Sequence, residues 1–260
     1  MNYTHLYEDK RLDFVIGTFK FILFLNFLLL FIFHHSIAFF LISEKRKRLK
    51  YFIKSISIYS NLALKVLSIR VDINQKLKVC NPYLIVANHQ SYTDILILAA
   101  HYPSLFISSV EVQETPILGH LCELAGCSFV ERRKSKRTEQ TKIKEFEEIK
   151  ERLLDGANIT LFPEATTTNG DTVLPFKSTF FQTVIDTQTS VLPVVINYQG
   201  ESRFVVPWYG EMTFLDHLFR LCQLNEISVT IKELNPIWKN DRFELAQNAH
   251  ELVLSNYQKI

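Results

Sequence analysis

One stretch limits what this chain can become more than any other: FVIGTFKFILFLNFLLLFIFHHSIAFFLI, residues 14–42. A helix crosses a bilayer with about 20 mainly apolar residues, and this run is longer than that. Its backbone must be helical and its side chains shielded from water by lipid or by protein. Lys20, Asn26, His34 and His35 interrupt it, so a full span and a shallow or re-entrant insertion are both open. A cleaved signal peptide fits less well. Ser36-Ile37-Ala38 resembles a cleavage site, but the apolar run continues through Phe39, Phe40, Leu41 and Ile42. Lys45, Arg46, Lys47, Arg48 and Lys50 follow at once, and basic residues beside a membrane segment prefer the cytoplasmic side. Residues 1–48 therefore read as a membrane-embedded N-terminal segment with its basic flank, and the rest of the chain faces the cytoplasm.

From 49 to 67 the pattern becomes amphipathic. Lys50, Lys54, Ser57, Asn61 and Lys65 share one helical face, while Leu49, Phe52, Ile53, Ile56, Tyr59, Ala63 and Leu67 occupy much of the other. Residues 49–69 thus predict a basic amphipathic helix whose apolar face suits either an anionic bilayer surface or the flank of a domain. Beyond it, short apolar runs at 70–73, 83–87, 105–108, 128–130, 158–162, 191–198 and 227–233 read as strands. Helices are predicted over 92–100, 116–125, 136–154, 179–186, 214–221 and 242–255. In the 136–154 helix, Ile143, Phe146, Ile149 or Lys150, and Leu153 line one face, and Gly156 follows as a stop. This alternation predicts an α/β domain over residues 70–260, a mixed, largely parallel sheet flanked by helices.

The charge balance, 29 basic against 27 acidic residues, gives no reason to expect nucleic acid as a partner. Cys80, Cys122, Cys127 and Cys222 lack zinc or redox spacing and sit among apolar residues, as reduced core thiols do. No metal site and no bound cofactor is expected.

Two polar islands break the apolar runs. In IVANHQSYTDILIL, residues 85–98, Asn88, His89, Gln90, Ser91, Tyr92, Thr93 and Asp94 separate a strand from a helix. Burying such groups unpaired costs a few kcal/mol each, so they pair with one another at a cleft or form a working site. Across such a turn Asp94 can fold back on the imidazole, fix its tautomer and strengthen it as a base. Taken alone, the spacing favours a plainer reading, with Asp94 capping the helix and His89 incidental. The second island changes the balance: Phe162-Pro163-Glu164-Ala165-Thr166 also ends a strand, and Phe176-Lys177 precedes a helix. Two strand ends with such groups are what an open α/β sheet offers as a ligand crevice.

Asn88-His89-x-x-x-x-Asp94 with Phe162-Pro163-Glu164-Ala165-Thr166 resembles the glycerophospholipid acyltransferase family, typified by the 1-acylglycerol-3-phosphate acyltransferases. GCSFVERR, residues 126–133, and VLPVVI, residues 191–196, resemble two further family motifs in the same order. The resemblance implies His89 as general base and Asp94 as its orienting partner. It implies that Glu164, with Thr166 and Thr167, positions the acceptor, and that Arg132 and Lys177 meet a phosphate. It implies a fatty acyl thioester, on coenzyme A or acyl-carrier protein, as donor, and a lysophospholipid such as 1-acylglycerol-3-phosphate as acceptor. Three departures stand out: Ala165 for a common Gly, Thr167 for a common Arg, and Ser178 for a common Gly. Losing that Arg removes a phosphate clamp and opens a lyso-ornithine lipid as an alternative acceptor. A serine hydrolase built on Ser91 lacks the Gly-x-Ser-x-Gly elbow. A non-catalytic membrane lipid-binding protein would have no need of His89, Asp94 and Glu164 together.

Overall fold

The computed structural model describes residues 10–74, 82–116, 118–133, 135–136 and 138–258. Cys80, Lys134 and Arg137 lie outside the described residues. Two long helices, α1 (Lys10–Leu41) and α2 (Lys45–Val66), lead into β1 (Ile69–Asn74) and β2 (Tyr83–Ala87). There follow α3 (Thr93–His101), β3 (Leu105–Ser109), α4 (Val110–Gln113), α5 (Leu118–Leu124), β4 (Ser128–Val130), α6 (Glu139–Leu154) and β5 (Ile159–Leu161). The chain continues through α7 (Phe181–Thr187), β6 (Ser190–Tyr198), α8 (Ser202–Val205), α9 (Phe214–Cys222), β7 (Ile227–Glu233) and α10 (Arg242–Asn256). All seven expected strands and all six helices predicted beyond residue 70 are present; the short α4 and α8 are additions.

The seven strands form one sheet in the order β1-β7-β6-β2-β5-β3-β4, with every neighbouring pair parallel except β6 and β7. A largely parallel sheet needs cover on both faces, which is why β2 and β6 are apolar almost without interruption. Within β2 the alternation still decides direction: Ile85 and Ala87 join the core beneath α1–α3 and α9, and Leu84 and Val86 join the core beneath α6, α7 and α10. β5 and β6 both flank β2 in parallel, so the C-terminal ends of all three meet at one sheet edge.

The amphipathic helix α2 packs its apolar side inward. Phe52, Ile56, Ala63 and Leu64 are buried, while Lys50, Lys54 and Lys65 stay exposed. On α6 the apolar face is only partly used. Ile149 and Leu153 are buried, but Ile143 is 61% exposed, because the edge strand β4 is too short to cover the first turns. That helix starts at Glu139, where the Thr138 hydroxyl accepts the Thr141 N–H as an N-cap.

Of the described helices, one, α1, is long and apolar enough to cross a membrane. A narrow stripe of it, Gly17, Phe24, Phe31, His35 and Ala38, is buried against the protein. Phe31 and Phe27 pack on Tyr59 of α2, and Phe14 and Phe21 set their rings edge-on to Phe219 of α9. Gly17 allows this approach: a Cβ there would lie 2.7 Å from Gln223 Cγ. The remaining surface of α1, including Val15, Phe19, Leu29, Phe33 and Phe40, is apolar and exposed.

Candidate active site

His89 and Asp94 meet as the five-residue turn between β2 and α3 requires. His89 Nδ1 lies 2.9 Å from Asp94 Oδ2. The same carboxylate oxygen accepts the Gln90 and Ser91 N–H groups at 2.7 and 2.9 Å, which folds the loop around it. Asp94 is fully buried, and its other oxygen accepts the Tyr198 hydroxyl at 2.5 Å. Four donors need the lone pairs of an ionised carboxylate, so Asp94 acts as an acceptor and His89 carries its proton on Nδ1. Nε2 is then the nitrogen free for proton transfer. The imidazole is also stacked on the Phe162 ring, 3.8 Å between centroids and 11° from parallel.

The loop is tied down from neighbouring strands. The Asn88 side chain bridges the Ile196 N–H and carbonyl on β6. Glu164, at the end of β5, is buried and accepts the His89 N–H at 2.7 Å through Oε1 and the Leu174 N–H at 2.8 Å through Oε2. Burial pushes its carboxyl up to about 7, with the two N–H donors opposing the shift and the Asp94 charge adding to it. Both oxygens of Glu164 are thus committed to backbone, and its contact with the site runs through the His89 main chain. Thr168 completes the clamp by donating its N–H to the His89 carbonyl at 3.0 Å.

Arg132 and Lys177 come together beside Phe162. Both line a cavity of about 120 Å³, with Ile107, Pro163, Ala165 and Phe180 among its other walls. Arg132 donates to the Ala165 carbonyl at 2.7 Å and, among the described residues, pairs with no carboxylate. Its neighbour Arg133 is held by Glu111, Glu114 and Glu131. The two adjacent arginines therefore differ: one is neutralised in place, the other faces the cavity. Ala165 has φ +61°, a left-handed conformation that favours Gly and costs another residue about 1 kcal/mol. Thr166 is exposed and donates only to the Thr167 carbonyl; neither threonine lines the cavity.

Tyr198, Thr93 and Thr168 were not singled out from the sequence. Tyr198 ends β6, and only the pairing of β6 with β2 brings it to Asp94. Burial, and then the Asp94 charge, push its phenol well above the ordinary range, so it remains a donor. Thr93 Oγ1, 2.7 Å away, supplies the hydrogen bond that the Tyr198 oxygen accepts.

The sequence profile of the acyltransferase family matches residues 68–197, half of the chain, a span within which the expected site residues fall. The chain belongs to the acyltransferase family. A lyso-ornithine lipid O-acyltransferase of Pseudomonas aeruginosa is 37% identical over 178 residues, 66% of each chain. A 1-acyl-sn-glycerol-3-phosphate acyltransferase of Neisseria gonorrhoeae is 33% identical over 153 residues, 58% of each chain. The match therefore spans less than two thirds of each of these two relatives, 66% of the first and 58% of the second. A lyso-ornithine lipid O-acyltransferase of Brucella abortus is 30% identical over 216 residues, 76% of this chain and 79% of its own. In fold, this acyltransferase is similar to the 1-acyl-sn-glycerophosphate acyltransferase PlsC of Thermotoga maritima, with a TM-score of 0.66, 21% identity and 92% of each chain covered. The expected family and fold class are both met.

Proposed function

We propose that this acyltransferase moves a fatty acyl chain from an acyl thioester to the free hydroxyl of a lysolipid, with His89 as the base. The observation that carries this is the His89 Nδ1 hydrogen bond to a buried, four-donor Asp94. His89 Nε2 takes the hydroxyl proton as the oxygen attacks the thioester carbonyl. The tetrahedral intermediate collapses, the C–S bond breaks, and the imidazolium returns its proton to the departing thiolate. The products are an ester and a free thiol, of coenzyme A or of acyl-carrier protein. Asp94 stabilises the imidazolium between these two transfers.

The acceptor reading follows from Arg132 and Lys177, two cations on one cavity, which suit an anionic head group such as the phosphate of 1-acylglycerol-3-phosphate. A lyso-ornithine lipid, whose head group carries a carboxylate, is the second reading. Thr167 in place of an Arg favours it, as does the 37% identity to an enzyme of that name. The membrane reading rests on the exposed apolar face of α1 and the basic turn at Lys45–Lys50. Because α1 lies along α9 and α2, it enters the bilayer from one side together with the domain surface, its basic turn on the cytoplasmic side.

The experiment is transfer of a labelled acyl chain by the purified full chain to a lysolipid panel, with coenzyme A and carrier-protein thioesters compared. Phosphate-bearing acceptors should give the highest kcat/KM. A preference for the lyso-ornithine lipid would establish the second reading instead.

A further inference from the structure

Beside the catalytic loop lies an apolar surface that the reaction above does not use. The segment between α8 and α9 exposes Tyr209 and Met212, and the first turn of α9 exposes Leu215, 52% accessible. Leu215 stands one turn before Phe219 on the same helical face. Phe219, half-exposed, in turn meets the exposed Phe14 at 5.8 Å and the half-exposed Phe21 at 5.5 Å, so this surface adjoins the exposed face of α1, with Glu211 as the exposed charge within the segment. We propose that residues 208–215 form a second bilayer-contacting element, which together with α1 seats the catalytic loop at the lipid–water boundary. The inference rests on the membrane reading of α1 and adds a site to it.

The occupant is a bilayer because the patch extends a face already given to lipid, and because its residues are those of an interface. Trp and Tyr concentrate where hydrocarbon meets head groups. Asp216 and Arg220 on the adjoining side of α9 keep that side polar. The segment is coupled directly to the site: the Trp208 N–H donates to the Gln90 carbonyl at 2.7 Å, and the Trp208 ring lies edge-on to Tyr92 at 5.6 Å. Tyr92 is fixed in turn by His217 Nδ1 at 3.0 Å. The depth of Trp208 therefore sets the depth of His89. A lysolipid anchored by its acyl chain presents its hydroxyl at that level, so the acceptor reaches the base without leaving the membrane.

Trp208 itself reports the depth, since the chain has two tryptophans and Trp238→Phe leaves one. The full-length Trp238→Phe protein is mixed with vesicles of phosphatidylglycerol and phosphatidylcholine whose acyl chains are brominated, and vesicle-bound protein is collected by sedimentation. Emission from the bound protein should fall by about twofold against non-brominated vesicles, as for an indole at the interface. Bound protein with unchanged Trp208 emission would overturn the inference while leaving α1 as the anchor. Protein that does not sediment with vesicles would overturn the membrane reading as well. Met212→Glu with Leu215→Glu supplies a second arm in protein of unchanged thermal stability. It should raise KM for vesicle-borne lysolipid by about tenfold and leave kcat/KM for a water-soluble short-chain acceptor unchanged. Equal losses on both acceptors, or none, would contradict the assignment.

Discussion

At the scale of single residues, the site is one imidazole held by a carboxylate that is itself held by a phenol. Tyr198→Phe removes one of four donors to Asp94 and changes the buried ring by one hydroxyl only, so that Asp94 Oδ1 loses this donor and Thr93 loses its acceptor. The variant should fold, lose roughly tenfold in kcat with little change in KM, and shift the acidic limb of its pH profile. An unchanged pH profile would show that Tyr198 serves packing alone. Glu164 gives a separate test through linkage. The unfolded chain releases this proton near the ordinary carboxylate range, the native protein near 7. The native state holds the extra proton between those values, so the contribution of Glu164 to stability falls as pH rises through that window. Wild type should therefore lose about 2 to 3 kcal/mol relative to Glu164→Gln between about pH 5 and about pH 8. A difference that stays level over the same range would mean that the two N–H donors, rather than burial, govern the group. His89, Asp94 and Glu164 drew attention in the sequence as polar residues interrupting apolar runs, but spacing alone favoured a plainer reading, and their roles followed only from the resemblance of the two motifs to the acyltransferase family. Tyr198 did not, because its partner Asp94, in the first turn of α3, lies 104 residues away and is brought near only by the pairing of β6 with β2, which is not a local property.

At the scale of elements, apolar runs, and alternation in β1, located the strands among the described residues, since buried parallel strands carry the strongest composition signal in such a chain. Strand order was invisible to that signal, and with it the convergence of β2, β5 and β6 at one edge. Direction on helices was legible only where burial is complete. Ile143 obeys the helical period of α6 yet remains in solvent, because the period records which face a residue shares and not how far the sheet extends. The two sides of α1 were likewise hidden in a run that is apolar all round. Gly17 marks the closest approach of its packed side, and Gly17→Leu should part α1 from α9. Thermal unfolding should then show a loss of about 1 to 3 kcal/mol, as for overpacked contacts. Unchanged stability would mean that its contacts with α2 and α5 suffice to hold α1.

At the scale of the whole molecule, the largely parallel sheet gathers the candidate site at one edge, and the helices on one face include α1, whose outer side is apolar and exposed. The C-terminal ends of β2, β5 and β6 supply His89, Glu164 and Tyr198, and the segment after β4 supplies Arg132. The central claim is that this edge transfers acyl chains through a single base. It is tested most directly by the rate of labelled acyl transfer from thioester to lysolipid in the full chain, compared between wild type and His89→Ala of matching thermal stability. Wild type should form the diacyl product with one thiol released per ester made, and His89→Ala should be slower by about 10² to 10⁴. Near-wild-type transfer by His89→Ala would contradict the account, as would free fatty acid in place of the ester, or no product at all from the wild-type chain.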